Sequence, residues 1–172
     1  EIKDDDTRLS LLMNYLEGIR QTVFRQTQFA EFELRIHEKA ERGEPLTGDV
    51  LNEIYGEILK KYYGHDKGVC HIDDLYAVEW AYVPHFYYNF YVYQYSTSFT
   101  ASTALAEKVL GKEKDAVGKY IEFISSGGSD YPIELLKQAG VDMTGAGPFN
   151  KTMVAMNRTM DEIEAILEKK GK

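Results

Sequence analysis

Apolar residues recur at three- and four-residue intervals through most of this chain, and nowhere do apolar and polar residues alternate long enough to make a strand, so the pattern predicts an all-α fold. Leu9, Leu12, Leu16, Ile19 and Val23 start the series. The same face runs on through Ala30 and Leu34 toward Gly43-Glu44-Pro45, which predicts one long helix or two joined at a kink. Thr47 is placed to cap the next helix, with Asp49 favourable in its first turn, Leu51, Ile54, Ile58 and Leu59 facing inward, and Gly64 to stop it. Residues 64–74, with glycines, charges and two histidines, read as a loop. Pro84 separates a short 76–83 segment from a helix expected over about residues 86–110 and ended by Gly111. A helix over 114–124 stops at Ser125-Ser-Gly-Gly-Ser129, and Pro132 opens another that ends at Gly140. After Gly145-Ala-Gly-Pro148, Met153, Met156, Met160, Ile163 and Leu167 mark the inward face of a last helix. With 172 residues and no repeat of fixed length, these helices are expected to form a single unit over 1–172.

The formal charge of −8 argues against a nucleic-acid partner, because binders of polyanions gather Lys and Arg on one face. Lys169-Lys170 with Lys172 reads as a solvated tail. The single cysteine, Cys70, excludes an intrachain disulfide and fits a reducing compartment, so the cytoplasm is the expected location. The acidic start, Glu1-Ile-Lys-Asp-Asp-Asp6, is unlike a signal peptide. The chain also begins without methionine, which points to a processed protein or to a piece of a longer one. Its most apolar stretch, 86–110, carries Asn89, Gln94 and a series of Ser and Thr and makes a poor membrane span.

Conventional enzyme motifs are missing. His37-Glu38-Lys39-Ala40-Glu41 is half of an H-E-x-x-H metal motif, but Glu41 stands where the second imidazole is required, and a polar helix end is the plainer reading. His65, Cys70 and His71 lie close enough for a loop metal site yet lack the paired ligands such sites use. There is no G-x-S-x-G, Walker loop or G-x-G-x-x-G. What remains is the run from Tyr82 to Tyr95, which holds six of the 13 tyrosines, with His85 directly after Pro84. On a helix, Tyr88, Tyr91 and Tyr95 fall at i, i+3 and i+7 and their hydroxyls share one face, where they can donate to a peptide carbonyl or to the oxyanion formed from it. An aromatic core helix with incidental hydroxyls explains the same run.

Three stretches then bring a family into view. Val83-Pro-His-Phe-Tyr-Tyr-Asn-Phe-Tyr-Val-Tyr-Gln-Tyr95, Phe123-Ile-Ser-Ser-Gly-Gly-Ser-Asp-Tyr-Pro132 and Glu134-Leu-Leu-Lys-Gln-Ala-Gly-Val-Asp-Met143 together resemble the C-terminal region of the oligoendopeptidase F family of thimet-like zinc metallopeptidases. Thr22-Val-Phe-Arg-Gln-Thr-Gln-Phe-Ala-Glu-Phe-Glu33 and Gly43-Glu-Pro-Leu-Thr47 resemble the stretch that follows that family's metal site. The resemblance implies a helical domain forming the C-terminal part of a larger zincin-type oligopeptidase, acting on short peptides with a zinc held by an H-E-x-x-H helix that this chain does not contain. It implies that zinc is bound outside these residues, that the N-terminal remainder of the same protein is a partner, and that the 172 residues alone are inactive. His85 matches the family's substrate-binding histidine and Tyr95 the phenol that stabilises the tetrahedral intermediate. The tyrosine-rich run leaves Tyr91, Tyr93 and Tyr95 as alternatives for the phenol nearest the metal, with Tyr88 on the same side. Gly127 and Gly128 either present backbone groups to an extended substrate or simply end a helix. The competing expectation is a stand-alone helical module that binds peptides without cleaving them.

Overall fold

The computed structural model describes residues 2–171, among which there are helices and turns but no strand, as the periodicity predicts. The α-helices are α1 (Asp5–Ile19), α2 (Arg25–Glu41), α3 (Gly48–Tyr63), α4 (Tyr93–Leu110), α5 (Ala116–Ser125), α6 (Pro132–Gln138) and α7 (Gly147–Lys169). Three 3-10 segments, His65–Lys67, Asp74–Tyr82 and Pro84–Tyr88, fill the stretch before α4. Where the sequence predicts one unit over 1–172, the residues group into two compact units with separate apolar clusters. One is Gln21–Ser96, and the other joins the residues up to Arg20 with those from Thr97 onward.

The unit Gln21–Ser96 is built around α2 and α3. Thr47 caps α3 by accepting the Val50 amide hydrogen at 3.3 Å, and Gly64 ends it in the left-handed conformation at φ 64°. The inward face of α3 carries Ile58 and Leu59 as expected, with Tyr55 buried beside them. The expected face of α2 is displaced. Helical backbone continues from α1 into α2, but Arg20–Phe24 forms a π-turn. Leu34, placed inward by an unbroken α-period, is 49% exposed, while Gln28, Phe29, Phe32 and Glu33 are buried. Phe32 lies at the centre: its ring meets Phe86 at 5.1 Å, Tyr55 at 5.2 Å and Trp80 at 6.4 Å.

Polar groups buried against this core are paired. The Tyr55 hydroxyl donates to Glu79 Oε2 at 2.6 Å and accepts from Gln28 Nε2 at 3.3 Å, and Glu79 is held by Arg25, whose guanidinium also lies 4.6 Å from the Phe29 ring centre. Burial, then the bond to Glu79, pushes the Tyr55 phenol far above its ordinary range.

In the other unit α1 packs with α7. Arg8 pairs with Glu162, Lys169 reaches Asp5 at 2.5 Å and Lys170 pairs with Asp6. The expected solvated tail thus ties the end of α7 to the start of α1, where cations and carboxylates also suit the two helix dipoles; Lys172 lies outside the described residues. The buried stripe of α7 is Thr152, Ala155, Thr159, Ile163 and Ile166, with Met153, Met156 and Met160 only half-buried beside it. Small side chains take the central positions here. The Thr152 and Thr159 hydroxyls return to the carbonyls of Pro148 and Ala155, at 3.2 and 2.9 Å, and so are buried with their hydrogen bonds made. Ala101, Ala104 and Leu105 of α4 pack against Ala139 and Val141 beyond α6. Pro132 sits in the first turn of α6 as predicted. Among the described residues no helix is long and apolar enough to cross a membrane.

Tyr55→Phe removes the hydroxyl that joins Gln28 to Glu79 and leaves two polar groups short of a partner. The expected loss is about 1–2 kcal/mol, read from the urea midpoint at unchanged slope; an unaltered midpoint would show that the network contributes nothing.

Candidate functional site

The tyrosine run does not fold as one helix. Val83 is extended, as a residue before proline must be, and Pro84 opens the short 3-10 segment Pro84–Tyr88. Asn89 and Phe90 then both take positive φ, 50° and 60°, and α4 starts only at Tyr93. The expected helix over 86–110 is therefore broken near its beginning, and Tyr88 shares no continuous helical face with Tyr91 and Tyr95. For residues with a Cβ the left-handed region costs about 1–2 kcal/mol each, less for Asn than for Phe, so something must hold Phe90 there. The side chain responsible is Glu33. It is 1% exposed, and its carboxylate accepts the Phe90 amide hydrogen at 2.6 Å. The His37 ring lies over the Phe90 ring at 4.4 Å, so this histidine is a packing partner of the turn rather than a solvated helix end.

The broken backbone still gathers the predicted groups. His85 stacks on Tyr91 with ring centres 5.6 Å apart and planes within 5°, and it meets Tyr88 and Tyr95 edge-on at 6.0 and 5.9 Å. Tyr91 meets Tyr88 at 5.9 Å and Tyr95 at 5.5 Å, both edge-on. Inward-facing Phe86 and Val92 seat this stretch on the core: Phe86 contacts Phe32 and Phe29, and Val92 is fully buried. Tyr88, Tyr91 and Tyr95 face outward, 61, 37 and 37% exposed, so their hydroxyls are available to a ligand and the aromatic-core alternative does not hold. Tyr95 donates to the Tyr91 hydroxyl at 3.3 Å, long for such a pair. That bond, and secondarily loss of solvent, raises the Tyr95 phenol above its ordinary value of 10.0, so it keeps its proton and remains a donor. An imidazole surrounded by three phenols presents hydrogen-bond donors, an arrangement suited to meeting a carbonyl oxygen or the anion derived from it.

The remaining candidates lie elsewhere. Tyr93 begins α4 and is 49% exposed. Gly127 and Gly128 belong to the other unit, in the exposed turn after α5, where Gly127 takes φ 54° and a Cβ on either would meet nothing within 4 Å. His65 Nδ1 accepts the Ile72 amide hydrogen at 2.9 Å, so the loop histidine helps fold the loop. Among the described residues no group of three or more His, Cys, Asp or Glu is placed to hold a metal ion. A concavity of about 530 Å³ between α4, α5 and α6 is lined by Ala101, Leu105, Tyr120, Phe123 and Leu136 among others, with hydroxyls but no carboxylate, imidazole or amine. Glu33 was hidden from sequence reasoning because the amide it accepts lies 57 positions away along the chain.

Comparison with known proteins covers nearly the whole chain. Residues 1–155 match the model of peptidase family M3. The chain is 48% identical over 168 residues to oligopeptidase PepF of Bacillus subtilis, covering 98% of this chain and 25% of that protein. It is 46% identical over 170 residues to the plasmid-encoded oligoendopeptidase F of Lactococcus lactis subsp. cremoris, covering 98% of this chain and 28% of that protein. The crystal structure of oligoendopeptidase-F from Enterococcus faecium superposes with a TM-score of 0.93 at 44% identity, covering 98% of this chain and 32% of that one. The chain thus spans about a quarter to a third of the length of these relatives.

Because the Tyr95 phenol is raised chiefly by its bond to Tyr91, Tyr91→Phe should return it toward 10.0. Titration of the carbon-13 resonance of the Tyr95 ring reads this directly, and a titration curve unmoved by the substitution would show that the two hydroxyls do not interact.

Proposed function

The chain belongs to peptidase family M3, and on that premise we propose that it is the C-terminal, substrate-binding part of a zinc metallo-oligoendopeptidase that hydrolyses short peptides. The observation that carries this reading is the exposed cluster of His85 with Tyr88, Tyr91 and Tyr95. In it, the Tyr95 phenol turns its one O–H from Tyr91 to the oxygen of the scissile carbonyl as negative charge gathers there, and His85 hydrogen-bonds the bound peptide. Tyr88 and Tyr91 stand beside them against the bound peptide. A donor of this kind accelerates the reaction because its bond strengthens as the carbonyl oxygen becomes an anion, so the gain falls on the transition state and not on binding.

The side chains described supply no metal site, and in this reading the zinc implied by the family is bound by residues outside this chain. The 172 residues alone are therefore expected to leave peptides intact. The N-terminal remainder of the parent protein is the proposed partner. In support, α5 leaves Val117, Tyr120, Ile121 and Ile124 exposed at i, i+3, i+4 and i+7, an apolar stripe of the sort that a protein neighbour covers. The net charge of −8 disfavours nucleic acid, and the one exposed thiol, Cys70, fits the cytoplasm.

In the intact peptidase, Tyr95→Phe should lower kcat by roughly 10²-fold with little change in KM, the pattern for loss of one oxyanion donor. Steady-state kinetics on a fluorogenic peptide reads the effect. An unchanged kcat overturns the role given to Tyr95.

A further inference from the structure

We propose that Glu33 is a positioning residue for the imidazole–phenol cluster: by accepting the Phe90 amide hydrogen, its buried carboxylate fixes the left-handed turn that sets Tyr91 and Tyr95 against His85. The inference rests on the function proposed above for that cluster. The cluster is assembled from both sides of one turn. His85 and Tyr88 precede Asn89-Phe90, and Tyr91 and Tyr95 follow it, so the two φ angles at the turn decide whether the rings meet. Phe90 is a poor residue for positive φ, and its amide is held by a side chain from another part of the chain. The support comes from α2, fifty-seven positions earlier in the chain. Glu33 takes the amide of Phe90, and His37, one helical turn further along α2, takes its ring.

The choice of residue also points to this task. At 1% exposure a carboxylate is among the costliest side chains to bury, and an apolar residue of the same volume would suit the neighbouring Phe29 and Phe32 better. Only an acceptor satisfies the Phe90 amide, and the Glu33 side chain accepts it at 2.6 Å. Glu33 accepts its hydrogen bond from the backbone of the turn and not from a phenol. It acts through the backbone of the turn.

The test compares two substitutions of nearly equal volume. Glu33→Gln keeps a carbonyl acceptor for the amide, whereas Glu33→Met removes only the acceptor. In the 172-residue chain, ring currents from the three phenols displace the His85 imidazole proton resonances, and that displacement is expected to survive Glu33→Gln and to be lost in Glu33→Met. In the intact peptidase Glu33→Met should lower kcat by about 10²-fold, the scale of a small misplacement of catalytic groups, while Glu33→Gln retains most of the activity. An undisplaced pattern change, with His85 shifts identical in Glu33→Met and the unsubstituted chain, overturns the proposal. Should Glu33→Met fail to fold, hydrogen exchange at the Phe90 amide of the unsubstituted chain decides: slow exchange supports the clamp, and exchange as fast as in an unstructured peptide refutes it. Loss of the His85 displacement with unchanged peptide turnover keeps the clamp and overturns instead the catalytic reading of the cluster.

Discussion

A single phenyl ring, Phe32, stands behind most of what the Gln21–Ser96 unit presents. It is 1% exposed and brings together α3 through Tyr55, the Asp74–Tyr82 segment through Trp80 and the Pro84–Tyr88 segment through Phe86. Three pieces of chain with little regular hydrogen bonding between them are held by aromatic contact, which is strong per residue and restricts relative orientation. Phe86 and Val92 point in, while Tyr88, Tyr91 and Tyr95 are exposed. The candidate groups thus stand on a stretch anchored by its core residues.

The features legible in the sequence were those decided by neighbouring residues. Thr47 before α3, Gly64 after it and Pro132 at the start of α6 each act through their own backbone geometry, and each does what its residue type requires. The periodicity gave the helical class for the same reason. Features decided at a distance were hidden. The buried face of α2 carries Phe29, Phe32 and Glu33 and not Leu34, and the left-handed pair at Asn89-Phe90 divided an apparently continuous helix. In α7 the larger apolar residues suggested a methionine face, but close packing favoured threonine and alanine, whose polarity is absorbed by the helix itself.

The site shows the same division. His85, Tyr88, Tyr91 and Tyr95 were named from their spacing on a helix that does not form as drawn, yet the rings converge because the turn between them brings back by tertiary contact what the helix would have provided by register. Glu33, one of the acidic residues in a chain with 28 of them, carried no local mark of its position. A buried acid on α2 becomes visible only when the core around it is known.

The pairing of α1 with α7 bears on how this chain is made. Asp5 and Lys169 are partners separated by 164 residues, and the whole Gln21–Ser96 unit lies between the two parts of the unit they close. During synthesis α1 is made well before α7, the helix it pairs with, while Gln21–Ser96 has all its residues earlier and can collapse alone. Of the elements described, α1 is thus among the last to find its partner, and an acidic, weakly apolar surface on Asp4–Asp6 is a suitable one to leave unpaired in the meantime.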